Sequence, residues 1–160
     1  MDQPAPGGSG QALVEKIGGV TYLQDQGEMI EGLSIWGSPW QPWFYDWAFN
    51  LARGPQLAEK WAMIPNGIDI VVTHGPPMGI LDRTDRGEHV GCADLRDQMA
   101  ILRPRLHVFG HIHEGYGQVV KQVWRRDDPT VSDDTIYVNA ANCTVQYRVE
   151  NPPIVVDLEP

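Results

Sequence analysis

Apolar and polar positions along the chain change their spacing several times, and each change marks an element. Two runs are nearly solid: "IDIVVTH" (68–74) and "LHVFG" (106–110). Such β-branched, apolar segments read as strands covered on both faces. "TIYVNAA" (135–141) instead alternates, as a half-exposed antiparallel strand does. "GQVVKQVW" (117–124) and "PPIVVDL" (152–158) also read as strands. Nearer the start, "VTYLQD" (20–25) and "GLSIWGS" (32–38) are expected as strands joined through the turn-rich "QGEMIEG".

Elsewhere the spacing becomes helical. "PQLAEKWAMIP" (55–65) repeats Leu57, Trp61 and Ile64, with Pro55 where a first turn accepts it and Pro65 as the stop. "CADLRDQMAILRP" (92–104) lines up Cys92, Leu95, Met99 and Leu102 before Pro104 ends it. "QALVEKIGG" (11–19) makes a short helical turn closed by glycines. "PWQPWFYDWAFNLARG" (39–54), broken by Pro39, Pro42 and Gly54, reads as a long surface loop, and 79–90 as a polar one. The order predicts an α/β layer arrangement with a mixed sheet, largely antiparallel in its C-terminal portion.

Composition narrows the class. A chain of 160 residues suits one domain that buries roughly 70% of its unfolded surface, and six tryptophans argue against disorder. The opening "MDQPAPGGSGQ" lacks periodicity and is expected to be a flexible leader, taken as 1–18. Net charge is −9, and the basic residues form no run beyond "WRR" at 124–126. That argues against an extended nucleic-acid partner, whose affinity rests on phosphate neutralisation. A small phosphorylated ligand stays open, because a bound metal supplies positive charge locally. With no signal-like segment and no apolar run of spanning length, a soluble, cytoplasmic protein without membrane contact is expected. Cys92 and Cys143 match no metal or redox spacing and are expected as reduced, packed thiols.

The chemistry gathers at the ends of the two solid strands. His74 follows "IDIVVT", while His111 and His113 follow "LHVFG", flanked by Gly110 and Gly115. Strand ends hold side chains firmly, and the crest of an open α/β sheet is where ligands bind. A single histidine after a strand is usually solvated or hydrogen bonded. The HxH pair framed by glycines has no evident packing purpose, and the glycines let backbone approach a bound group. Three neutral imidazoles at ~2.0–2.1 Å would suffice for a catalytic zinc. Alternatively, they would form one side of a two-metal site that clamps both oxygens of a phosphoryl displacement. His89 and His107 are assigned to structure or solvent. Glu114 adjoins the cluster as a partner for an imidazole. The aromatic stretch from Trp36 to Trp47 is either a lid of core aromatics or a wall on which a nucleobase stacks. Trp40, Trp43 and Gly75 are its candidate substrate contacts.

At "THG" and "GHIH" the chain resembles the calcineurin-like metallophosphoesterases. "YLQD", "IWGSPWQPWF", "FNLARG", "DIVVTHGPP", "LHVFGHIHEGYG" and "NPPIVVDL" resemble its metallophosphoesterase-domain-containing branch, related to class III cyclic-nucleotide phosphodiesterases. The resemblance implies a four-layer α/β/β/α sandwich holding two divalent ions, Mn, Fe or Zn, and metal-assisted hydrolysis of a phosphodiester or cyclic nucleotide. It implies that His74 and His111 ligate one ion and His113 the other. The superfamily's DxH, GD and GNH[DE] motifs have no counterpart here. Residues 19–160 are therefore expected to be the C-terminal portion of such a domain, with the general acid outside it and one metal or none held by this chain. Without a bridging carboxylate, two dications among neutral ligands repel each other. An incomplete sheet is also expected to self-associate or to pair with a missing N-terminal half. The other expected partner is a phosphodiester or nucleotide, bound with or without turnover.

Overall fold

The computed structural model describes residues 10–124 and 132–159. Half of the expected leader, 1–9, and the arginines of "WRR" lie outside the described residues.

Three helices are described, α1 (Gly10–Glu15), α2 (Pro55–Trp61) and α3 (Ala93–Leu102). The strands are β1 (Gln26–Ile30), β2 (Leu33–Ser38), β3 (Gln41–Pro42), β4 (Asn50–Leu51), β5 (Ile70–Thr73), β6 (Leu106–Phe109), β7 (Gly117–Trp124) and β8 (Ser132–Asn139). Six of them form one sheet in the order β1-β2-β5-β6-β8-β7, and β3 pairs with β4 separately. The four inner strands run parallel, with an antiparallel strand at each edge. The expected orientation thus holds only at the β7–β8 edge; β8 is parallel to β6. Its alternation came from a helix-covered face and a more open one, a pattern that parallel strands share when one face is left uncovered.

Trp36, Val71, His107 and Tyr137 are successive register partners across β2, β5, β6 and β8, so they share one face. Leu57 and Trp61 of α2 and Leu95 and Met99 of α3 join this face in the core cluster. Both helices were legible from their spacing. Pro55 opens α2, and Cys92, expected inside the second helix, instead caps it: its Sγ accepts from Leu95 N. The other sheet face carries Ile35, Ile70, Val108 and Ile136 half-buried, with Val72 and Val120 exposed.

Two expected strands are absent. "VTYLQD" is irregular, and β1 is the segment read as a turn. The actual turn is Glu31–Gly32, with φ of 49° and 85°, a two-residue connection of the kind that matches hairpin twist. Leu23 lies over β2, where a side chain on Gly37 would collide with it. "PPIVVDL" joins no ladder among the described residues. No helix among the described residues is long and apolar enough to cross a membrane.

Candidate functional site

Because β5 and β6 are adjacent and parallel, their carboxyl ends open at the same crest. His74 follows β5 directly, and Gly110 N donates to the His74 carbonyl at 3.0 Å. The chain then turns sharply. Ile112 N donates to Gly110 O at 2.8 Å, and His111 takes φ 69°, a left-handed conformation that histidine adopts more readily than most residues. This places His111 Nδ1 3.0 Å from His74 Nε2. One of these nitrogens carries the shared hydrogen. Burial lowers the His74 pKa, and burial with the neighbouring His74 and His113 brings that of His111 down to about 4. Both rings are therefore neutral at pH 7, the form that binds metal.

His113 is held differently. It opens a 3-10 turn (His113–Gly115), and its Nδ1 donates to the Thr144 carbonyl at 2.9 Å. With Nδ1 as the donor, Nε2 of the neutral ring keeps its lone pair. Tyr147 packs edge-on against it, with centroids 5.4 Å apart. All three histidines line one cleft of about 680 Å³, with Trp43, Gly75 and Glu114 among its other walls.

The remaining expectations divide. Glu114 makes no hydrogen bond to an imidazole among the described residues; its Oε1 accepts from Asp85 N at 3.3 Å. Trp40 is absent from the lining. Its indole donates to Asp25 at 2.7 Å, and Lys60 Nζ, also bound to Asp25, lies 4.5 Å from its ring centroid. The aromatic wall is instead Trp43, Phe44 and Trp47, with the Phe44 ring perpendicular to that of His111 at 4.8 Å. Gly75 faces open space, with nothing within 4 Å of where a Cβ would stand. His89 bonds Asp82, and His107 is buried against Thr73, so both are structural.

Several supporting residues escaped the sequence reading. Asn50 holds the aromatic loop: its Oδ1 accepts from Phe44 N, and its Nδ2 donates to the Tyr45 and Trp47 carbonyls at 3.0 and 2.8 Å. Fully buried Asn139 donates to the Leu81 and Ile112 carbonyls and accepts from Ala141 N, tying together three loops around the cleft. Buried Asp82 accepts from Gly79 N, Gly91 N and His89 and so shapes the 79–91 loop. A lone Asn or Asp in a loop or at a strand end is a common turn signal, so its long-range partners could not be read locally.

Two nitrogens bound to one cation at ~2.1 Å and at right angles stand ~3.0 Å apart. The His74–His111 pair therefore fits two adjacent positions on a divalent ion. Among the described residues, no group of three or more His, Cys, Asp or Glu side chains gathers closely enough to hold a metal. The fit is thus to part of a coordination shell.

No family model matches the chain. Metallophosphoesterase domain-containing protein 1 of Homo sapiens is 53% identical over 139 residues, covering 86% of this chain and 39% of that protein; the Mus musculus protein of the same name matches equally. A UPF0046 protein of Caenorhabditis elegans is 38% identical over 150 residues, 93% of this chain and 35% of its own. The chain thus spans 39% of the length of the mammalian relatives. One solved structure aligns over 74% of this chain and 45% of its own at 20% identity and a TM-score of 0.49, too low to bear on the fold.

Proposed function

We propose, from this kinship with metallophosphoesterase-related proteins, that the chain contributes the histidine side of a metal-dependent phosphoesterase site. His74 and His111 hold one divalent ion, Mn, Fe or Zn, and His113 offers Nε2 to a second position. The substrate is a phosphodiester, cyclic nucleotides included, and the four-layer sandwich belongs to the same reading. The observation that carries it is the 3.0 Å approach of two neutral imidazoles at the mouth of an aromatic-walled cleft.

Each part of the cleft has its own task. A divalent ion there, when bound, polarises a phosphoryl oxygen as a Lewis acid. His74 and His111 would both offer a lone pair once the ring that carries the shared hydrogen holds it on its other nitrogen. Because only neutral rings bind an ion, ion binding strengthens as pH rises through the range where these rings lose their extra proton. Thr144 orients His113 through Nδ1. Trp43, Phe44 and Trp47 exclude water from one side and offer π-faces to a base, each such stack contributing ~1–3 kcal/mol.

A second reading, binding without turnover, is favoured by the absence of a three-ligand group among the described residues. Elemental analysis of protein equilibrated with Mn or Zn, followed by hydrolysis of a chromogenic phosphodiester, separates the two. Metal bound by the wild type, lost in His74→Ala and in His111→Ala, with hydrolysis that tracks it, supports the first. Metal without hydrolysis supports the second. No metal in the wild type refutes both assignments of the histidine pair.

A further inference from the structure

Asn139 stands at the carboxyl end of β8, where its register partner is Phe109 at the carboxyl end of β6. The residues just beyond that partner lead into His111 and His113. The Asn139 side chain is fully buried, and its two ends reach different segments. Nδ2 donates to the Ile112 carbonyl at 2.8 Å and to the Leu81 carbonyl at 3.1 Å, while Oδ1 accepts from Ala141 N at 3.1 Å. Both amide hydrogens are thus spent on carbonyls, and the oxygen faces an N–H. That pattern admits only one orientation of the amide.

Each end of the amide governs one half of a single contact. Ile112 lies between the two histidines, and its carbonyl also accepts from Gly115 N at 3.1 Å, which closes the 3-10 turn carrying His113. A side chain on Gly115 would meet Asn139 Nδ2, so the turn lies directly on the amide. Ala141, at the opposite end, opens the segment that delivers the Thr144 carbonyl. Ala140 N donates to the Phe109 carbonyl at 2.7 Å and Asn151 Nδ2 to the Ala141 carbonyl at 2.8 Å, so that segment is pinned to the same crest. The His113–Thr144 bond therefore joins two segments, 31 positions apart in sequence, and Asn139 is hydrogen bonded to both.

We propose that Asn139 is a positioning residue for His113. By fixing the separation of the Ile112 turn and the 141–144 segment, it keeps the Thr144 carbonyl in reach of Nδ1 and leaves the lone pair on Nε2. The role rests on the metal reading above, which needs that lone pair. A neutral imidazole has one N–H, and the bond made at one ring nitrogen decides what the other offers. A carbonyl can only accept, so it selects the Nδ1–H form. A hydrogen bond of ordinary net strength favours that tautomer by about fivefold. Aspartate cannot replace Asn139, because its carboxylate only accepts and would face two carbonyls.

The test is the tautomer of His113, read from the side-chain 15N signals of the whole chain in chelator at about pH 8, where the rings are neutral. The wild type is expected to favour Nδ1–H by at least about fivefold. In Asn139→Asp that ratio falls near one, while His107, buried in the core, keeps its wild-type signals and shows the variant to be folded. Asn139→Ser, uncharged and too short to span both segments, gives the same loss and decides the matter if the Asp variant fails to fold. Hydrogen on Nε2 of His113 in the wild type overturns the proposal. A wild-type ratio in either folded variant also overturns it and leaves the metal reading intact. Loss of the His107 signals in both variants makes Asn139 a support of the whole fold and overturns the positioning role. Failure of the metal reading is seen separately, as no bound metal in a wild type whose His113 holds Nδ1–H.

Discussion

Replacing His107 by Gln removes a titrating ring from the middle of the sheet while keeping a donor of similar reach. The ring is fully buried on β6, and its Nε2 lies 2.9 Å from Thr73 Oγ1. That hydroxyl spends its hydrogen on the Gly75 carbonyl at 2.8 Å, so it must accept from His107. Nε2 therefore carries the proton, and Nδ1 is bare, with no partner among the described residues. Protonating Nδ1 would bury a charge with nothing to receive its new N–H. Burial accordingly pushes the pKa down from 6.5 to about 3. In the unfolded chain the ring titrates normally, so below pH 6.5 the unfolded state binds the extra proton and stability falls as pH falls. The loss grows until pH approaches the folded value of about 3. Between pH 7 and pH 5 it amounts to about 2 kcal/mol from this residue alone. Urea unfolding followed by tryptophan fluorescence at the two pH values measures it. His111 loses stability in the same direction in both proteins, so it cancels in the comparison. His107→Gln should therefore lose about 2 kcal/mol less than wild type over this interval. Equal losses in both proteins would refute the assignment of a neutral, half-bonded His107.

Two further perturbations address the frame of the cleft. Gly115→Ala places a methyl group against the Leu81 carbonyl and Asn139 Nδ2, neither of which is a flexible side-chain end. It should cost about 1–3 kcal/mol in chemical denaturation, and wild-type stability would refute the close approach. Asn50→Ala releases the Phe44, Tyr45 and Trp47 backbone from its shared anchor. Because the loop is exposed, stability should change by under about 1 kcal/mol, while tryptophan anisotropy falls as Trp43 and Trp47 gain motion. Unchanged anisotropy would mean that ring packing on His111, not Asn50, holds the loop.

Local signals proved reliable where one residue type forces one backbone state or one face. The repeats of Leu57 and Trp61, and of Leu95 and Met99, placed both main helices, because burial of one helical face requires that spacing, although α2 ends at Trp61 and buried Ile64 lies in the turn after it. They were unreliable for "VTYLQD" and "QGEMIEG". There the choice of strand depended on Leu23 finding Gly37 and on Glu31 tolerating a left-handed turn. "PPIVVDL" likewise has strand composition but no ladder among the described residues, because a strand is completed by its neighbour.

The same division runs through the cleft. From the sequence alone came the positions of His74, His111 and His113 at strand ends, since a run of β-branched residues stopping at a histidine and a glycine leaves little else to form. Only the tertiary structure decided that His74 and His111 meet at 3.0 Å while His113 turns to Thr144, that Trp40 serves Asp25, and that Arg53 enters the cleft. These are contacts between residues 15 or more positions apart. Periodicity reports which face of its own element a side chain occupies; which element lies opposite is set by sheet order and loop closure.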